Sequence, residues 1–227
     1  MMTRHFSLLF IFILYSYSLM ASYLLIPMDE DSQKNHLKAY GIAFWTLEND
    51  LTVDWLLNYR GGSFLIENQT EIEKECIVRG VSYEIITNAF KQQLQLEIAH
   101  PESNTDIIKL EKAPKVAVYS PEGNLPWDDA VTMALEYAQI PYEKIWDEDV
   151  LKGALKEYDW LHLHHEDFTG QYGKFYSSYG REAWYQTQQR DYEAMARRLG
   201  YTKVSDQKKA VALGIYEYVV AGGFLFA

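Results

Sequence analysis

The sequence predicts an α/β protein of two units, each a parallel β-sheet with helices on both faces. Three observations carry this expectation. Short apolar runs alternate with helix-period stretches along the chain, the pattern of a sheet covered by crossover helices. The two halves open alike, with a strand run, a proline, a turn and a helix, at Tyr23–Pro27 and again at Lys115–Pro121. Between them Pro101–Pro114 is polar and bracketed by prolines, which makes it the linker candidate. The expected units are therefore 22–100 and 115–227, joined by 101–114.

In the first half, Tyr23–Pro27 is an apolar run closed by a proline, as at the exit of a strand. Asp31 or Ser32 can cap the helix that follows, in which Leu37, Tyr40, Phe44 and Leu47 recur at helical spacing. Thr52–Leu57 and Ser63–Ile66 read as strands around Arg60-Gly61-Gly62. Glu71–Arg79 is a helix stopped by Gly80. Val81–Ile86 is a strand, and Asn88 caps a helix carrying Phe90, Leu94 and Ile98.

In the second half, Lys115–Tyr119 is a strand ending at Pro121. Pro126 opens a helix with Asp128 and Asp129 in its first turn, where the helix dipole favours negative charge, and Val131, Ala134, Leu135 and Ala138 form its buried stripe. Tyr142–Trp146 is a strand, Val150–Glu157 a short helix and Asp159–His164 the next strand. Tyr185–Leu199 is a helix with Tyr192, Met195, Ala196 and Leu199 inward. Ser205 caps a last helix with Val211, Ile215, Tyr218 and Val219 inward. Gly222-Gly223 leads into Phe224-Leu225-Phe226. A parallel strand is normally followed by a covering helix, so the second unit is expected to be incomplete and the chain a fragment of a longer one.

The N-terminus reads as a secretory signal. Arg4 and His5 form a basic start, Phe6–Tyr17 an apolar core, and Ala21 or Ser18 the last residue before cleavage. The alternative is an uncleaved anchor, since Phe6–Pro27 is just long enough to span a bilayer. The expected product is exported to the periplasm or beyond, with no stable membrane insertion after cleavage. The net charge of the chain is −11, and no basic stripe interrupts it, which argues against nucleic acid or an anionic membrane as partner. Cys76, the single cysteine, excludes an internal disulfide. It falls four residues after Ile72 in a predicted helix, as a small buried hydrophobe would.

The densest group of chemistry-bearing side chains is WLHLHHEDFTGQYGKFY, Trp160–Tyr176. On a strand, Trp160, His162 and His164 point to one face and Leu161, Leu163 and His165 to the other. Ligands of doubly wound sheets bind outside the carboxyl ends of strands, where His164, His165, Glu166 and Asp167 fall. A histidine beside a carboxylate is held in one tautomer and can act as a base. The candidate catalytic residues are His164, His165 and Glu166. His162, Asp167, Gly170, Tyr172 and Tyr176 are candidate binding residues, the glycines permitting a tight path among aromatic walls. The competing reading is a set of structural histidines under an ordered loop. No cofactor is expected; zinc is the alternative, with His162 and His164 on one face and a carboxylate as third ligand. Arg60 is the remaining binding candidate, because Arg60-Gly61-Gly62-Ser63 can cradle an anion, although it also reads as a plain turn. Neither phosphate-loop signature is present, nor a serine-hydrolase elbow, nor the paired-histidine zinc motif.

The stretches IPMDEDSQKNHLKAYGIAFW, VDWLLNYRGGSF, APKVAVYSP, PWDDAV, YDWLHLHHEDFTGQYGKFY and AGGFLFA together resemble a group of exported bacterial proteins commonly labelled asparagine synthetase B. The similarity covers nearly all of 22–227, and the histidine block is its most specific part. Members look longer, continuing past GGFLFA into a cysteine-containing segment, so the chain looks like an N-terminal portion of such a protein. The second half is also similar to class I glutamine-amidotransferase-like domains, in which a strand of this type leads to the nucleophile turn.

No catalytic residue of true asparagine synthetases carries over. Their glutaminase needs a cysteine after the initiator methionine, where this chain has Met2, and Arg60-Gly61-Gly62-Ser63 is not their ATP loop. The resemblance implies two flavodoxin-like or amidotransferase-like units. It also implies a hydrolase-like or amidotransferase-like activity on a small molecule, with His164 or His165 as base, Glu166 or Asp167 orienting it, and the nucleophile beyond Ala227. The alternative is a non-catalytic module for a sugar or peptide ligand. Export is tested directly. N-terminal sequencing of the released product should begin near Ser22, and a product that keeps Met1 contradicts the expectation.

Overall fold

The computed structural model describes residues 22–121, 129–163 and 178–227. The chain divides into two compact units, with the boundary between Ala113 and Pro114. Both are α/β, but their sheets differ in kind.

The first unit runs β1 (Ser22–Ile26), α1 (His36–Glu48), β2 (Val53–Leu57), β3 (Ser63–Glu67), α2 (Thr70–Arg79), β4 (Glu84–Thr87), α3 (Asn88–Ile98) and β5 (Asp106–Leu110). Its five strands lie in the order β4-β1-β3-β2-β5, and each neighbouring pair is antiparallel. The parallel sheet expected here is thus corrected. The connection from β2 to β3 is only the segment 58–62, whereas parallel neighbours need a crossover of a dozen residues or more. The order from β1 to β4 is that of a split β-α-β, or ferredoxin-like, arrangement. The segment 101–114, expected as a linker, contributes β5, which pairs with β2 from Val53↔Leu110 to Leu57↔Asp106.

Alternation along β1 explains the two cores. Leu24 and Ile26 enter one cluster with Ala39, Ile42 and Ala43 of α1 and Ile72 and Cys76 of α2. Leu25 enters the other, with Leu56, Leu65 and Leu94 and Ile98 of α3. Burial of each such large aliphatic side chain contributes about 1.5–3 kcal/mol.

The stripe of α1 is rotated from the one expected. Leu47 is buried as expected, but Leu37 and Tyr40 are half exposed, and the helix also buries Ala39, Ile42, Ala43 and Thr46. Small residues on that side let the helix approach the strands, and Tyr40 stays at the edge of the Phe64 ring at 5.4 Å. The cap position is Asn35 rather than Asp31 or Ser32, and the Asn35 amide donates to the Gly80 carbonyl at 2.7 Å.

The second unit runs β6 (Val116–Tyr119), α4 (Ala130–Ala138), β7 (Glu143–Ile145), α5 (Asp147–Leu151) with a 3₁₀ turn at Ala154–Glu157, β8 (Trp160–Leu163), α6 (Ala183–Arg198), α7 (Val204–Val220) and β9 (Phe224–Phe226). The sheet order is β7-β6-β8-β9, and every pair is parallel. Ala117, Tyr119 and Leu161 face a core completed by Val150 of α5 and by Val211, Ile215 and Tyr218 of α7. Val219, expected inward, is 40% exposed. Val118 and His162 alternate to the opposite face, which is the side of α4 because Asp129 at the α4 cap bonds His162.

Gly61 shows how tightly the first unit is closed. Its φ is +80°, and a Cβ there would meet the Met28 carbonyl oxygen at 2.4 Å, where the Met28 amide itself donates to Arg60 O. Gly62 has φ +94° but only the Trp55 side chain at 3.4 Å. Gly61→Ala should therefore cost more than Gly62→Ala, about 1–3 kcal/mol more, because backbone must move as well as strain. Urea unfolding of the two variants checks this, and equal midpoints would contradict it.

Candidate functional site

The parallel sheet of the second unit defines where chemistry can be placed. From β6 the chain goes through α4 to β7 on one side, then returns past β6 through α5 to β8 on the other. The helices after β6 and after β8 lie on opposite faces. The crevice outside the carboxyl ends of β6 and β8 is thus the switch point at which open α/β sheets bind ligands. Among the described residues, two buried polar groups of side chains lie close to these strand ends, one on each face.

On the α4 face, Nε2 of His162 lies 2.8 Å from Oδ2 of Asp129. His162 is 4% exposed, and its Nδ1 has no hydrogen-bond partner among the described residues. Asp129 also accepts from the Thr132 amide at 3.0 Å and so caps α4. Burial raises the Asp129 carboxyl. The Thr132 amide and the hydrogen bond and charge of His162 outweigh it and hold the group below its ordinary value. In the tautomer that donates Nε2–H to Asp129, Nδ1 is an acceptor, the arrangement in which a carboxylate orients a histidine base. The ring also lies 5.7 Å from that of Phe226 on the neighbouring strand.

On the opposite face stands a network that sequence reasoning missed. The Lys208 ammonium of α7 donates to both oxygens of Asp147, at 3.0 and 2.9 Å, and to the Tyr119 hydroxyl at 3.0 Å. The Tyr119 hydroxyl donates to Oδ1 of Asp147 through a short bond, and the Gln207 amide donates to Oδ2 at 2.6 Å. Lys208 Nζ sits 4.0 Å above the Trp146 ring, with the Tyr119 and Tyr192 rings at 5.5 and 5.6 Å. All four members are at least nine-tenths buried. Tyr119 ends β6, and Asp147 starts α5 two residues after β7, so the network marks the strand ends. The sequence held a clue: Val204, Lys208, Val211, Ile215 and Tyr218 fall on one helical stripe, and a lysine inside a buried stripe needs an anionic partner.

Of the expected site residues, only two fall within the described set, one in each unit. His162 is in the second, as above. Arg60 is in the first, in the turn between β2 and β3. Its guanidinium donates to Asp29, Glu84 and Ser32, each at 2.9 Å. The Ser32 hydrogen bonds and Arg60 lower the Asp29 carboxyl, and the two carboxylates outweigh burial to raise Arg60. The Arg60 side chain thus clamps the loop after β1. His164, His165, Glu166, Asp167, Gly170, Tyr172 and Tyr176 lie outside the described residues. Cys76 is fully buried, and burial pushes its thiol up to about 12, as suits a small hydrophobe. Among the described residues no group of three or more His, Cys, Asp and Glu is arranged to hold a metal.

The Asp129 pair predicts a pH dependence. A carboxyl lowered by folding contributes stability above its unfolded value, 3.8, and that stability is lost as pH falls through the lower folded value. Asp129→Asn keeps an acceptor for the cap but removes the charge. The wild type should lose more stability than this variant between about pH 5 and about pH 3. Urea midpoints at the two pH values measure the difference, and parallel losses would contradict it.

No protein-family model matches the chain, and no curated protein and no solved structure matches it.

Proposed function

We propose that the second unit is a flavodoxin-like domain that acts on a small molecule at the carboxyl ends of β6 and β8, with hydrolase-like or amidotransferase-like chemistry. The observation that carries this reading is the parallel order β7-β6-β8-β9, with buried His162 of β8 paired to Asp129 at the α4 cap beside the switch point. The chain continues from β8 into His164, His165, Glu166 and Asp167, and the proposal assigns the base to His164 or His165 and its orientation to Glu166 or Asp167. The reading keeps the chain with the exported proteins labelled asparagine synthetase B, which its motifs resemble. Export is supported by the Arg4-His5 start and the apolar run after it. Among the described residues no helix is long and apolar enough to cross a membrane. The net charge of −11 supports a ligand other than nucleic acid.

A second reading, a binding module without catalysis, is favoured by one observation. A cavity of about 790 Å³ beside α6 is walled by Trp146, Trp184 and Tyr192.

The test uses the exported protein as the cell makes it, assayed for ammonia release from glutamine and asparagine and for hydrolysis of p-nitrophenyl acetate. His164→Ala should lower turnover by about 10²–10⁴ and leave the melting temperature unchanged. No hydrolysis in the wild type, or a variant that loses stability and keeps its rate, would overturn the proposal.

A further inference from the structure

We infer that the cavity between the start of α5 and the helix α6 is a binding site for a neutral saccharide, an assignment that rests on the reading of the second unit as a small-molecule domain. At about 790 Å³ it falls within the roughly 300–1,000 Å³ of ligand pockets. Pro121, just after β6, and Trp146, just after β7, line it, so it opens off the carboxyl ends of the strands.

Its walls combine flat apolar faces with uncommitted polar groups. Trp184 is 55% exposed and is steadied by the rings of Tyr179 at 5.4 Å and Tyr185 at 5.7 Å. An exposed indole held in place offers a platform for the C–H face of a sugar ring. The side chains of Gln188 and Asp191 have no partner among the described residues. Asp149 spends one oxygen, Oδ2, on the Trp146 amide at 2.9 Å and keeps Oδ1. Two carboxylates accept from hydroxyls, and an amide both donates and accepts.

Charge narrows the class. An anionic ligand would face Asp149 and Asp191, while the lining Arg198 is already paired with Glu148 through two bonds, at 2.9 and 2.6 Å. Arg198 first, then Lys152, holds the Glu148 carboxyl at about 2. A cationic ligand stacking on Trp146 would compete with Lys208, whose ammonium already sits 4.0 Å from that ring. A neutral polyol with an apolar face meets neither penalty; at Trp184, where no ammonium among the described residues competes and Asp191 would favour a cation, glucosamine is the discriminating probe.

The experiment is titration followed by tryptophan fluorescence and calorimetry, with glucose, galactose, N-acetylglucosamine and maltose as neutral probes and glucosamine and glucose 6-phosphate as charged ones. At least one neutral sugar should bind, and more tightly than either charged sugar. Trp184→Ala should weaken it about tenfold, the equivalent of one lost stacking contact. Gln188→Ala, on the exposed side of the same helix, is the second variant and should weaken binding without altering the melting temperature. Binding of no neutral sugar, or a preference for glucosamine or glucose 6-phosphate, overturns the inference. The two proposals fail separately. Saccharide binding that persists without hydrolysis removes the enzymatic reading alone, and hydrolysis of amides or esters without saccharide binding removes this one alone.

Discussion

The second unit depends on one buried ion pair. Lys208 and Asp147 sit where α7, the end of β6 and the start of α5 meet, and neither is more than about one-twentieth exposed. Removing both charges from water costs several kcal/mol per ion, and attraction offsets that only where the remaining hydrogen-bond positions are filled. Here the Tyr119 hydroxyl and the Gln207 amide fill positions on Asp147, and the Trp146 ring lies under the ammonium. The geometry of each member therefore constrains the others. The pair ties the last long helix to the strand ends, and the same Trp146 that supports the ammonium also lines the cavity beside α6.

That constraint orders the candidate site. The α6–α7 face of the sheet is fixed by a charged cluster, and the α4 face by His162 bonded to the residue that caps α4. The strand ends between them are held from both sides before any ligand is considered, which is the preorganisation a binding or catalytic site needs. The first unit contributes a different logic. There Arg60 joins Asp29, Ser32 and Glu84, and its own carbonyl accepts from the Met28 amide. Arg60, which reads in sequence as a possible anion ligand, closes the turn on the loop after β1 through these bonds.

Much of the fold was legible in the residues. The strands at Ser22–Ile26, Val53–Leu57, Ser63–Glu67, Val116–Tyr119 and Phe224–Phe226 follow the apolar runs closely, and Gly80 ends α2 in the left-handed conformation expected of it. The direction of the first sheet was not legible from those runs. Continuous apolar strands report burial on both faces, and two-sided burial is usual in parallel sheets. In this unit α1 and α2 cover one face and α3 the other, so an antiparallel sheet carries the same pattern. The better guide was the short turn around Arg60-Gly61-Gly62, which no parallel connection can use. Of the candidate site, one half of a pair was legible. His162 stood out by composition, whereas its partner Asp129 looked like a helix-dipole acid, and it is both. The Lys208 network escaped because its members are scattered over some ninety positions, and spatial proximity of that kind is not a sequence pattern.

The Lys208–Asp147 pair holds the strand ends together, and a double-variant cycle measures that coupling most directly. Urea unfolding of Lys208→Met, Asp147→Asn and the double variant gives the coupling. Each single change should cost about 3–5 kcal/mol, because it leaves a buried partner uncompensated. The double variant should cost clearly less than the sum, with a coupling of about 1–3 kcal/mol. Single changes that cost under about 0.5 kcal/mol, or costs that add, would show that the pair is incidental to the fold and would contradict the account.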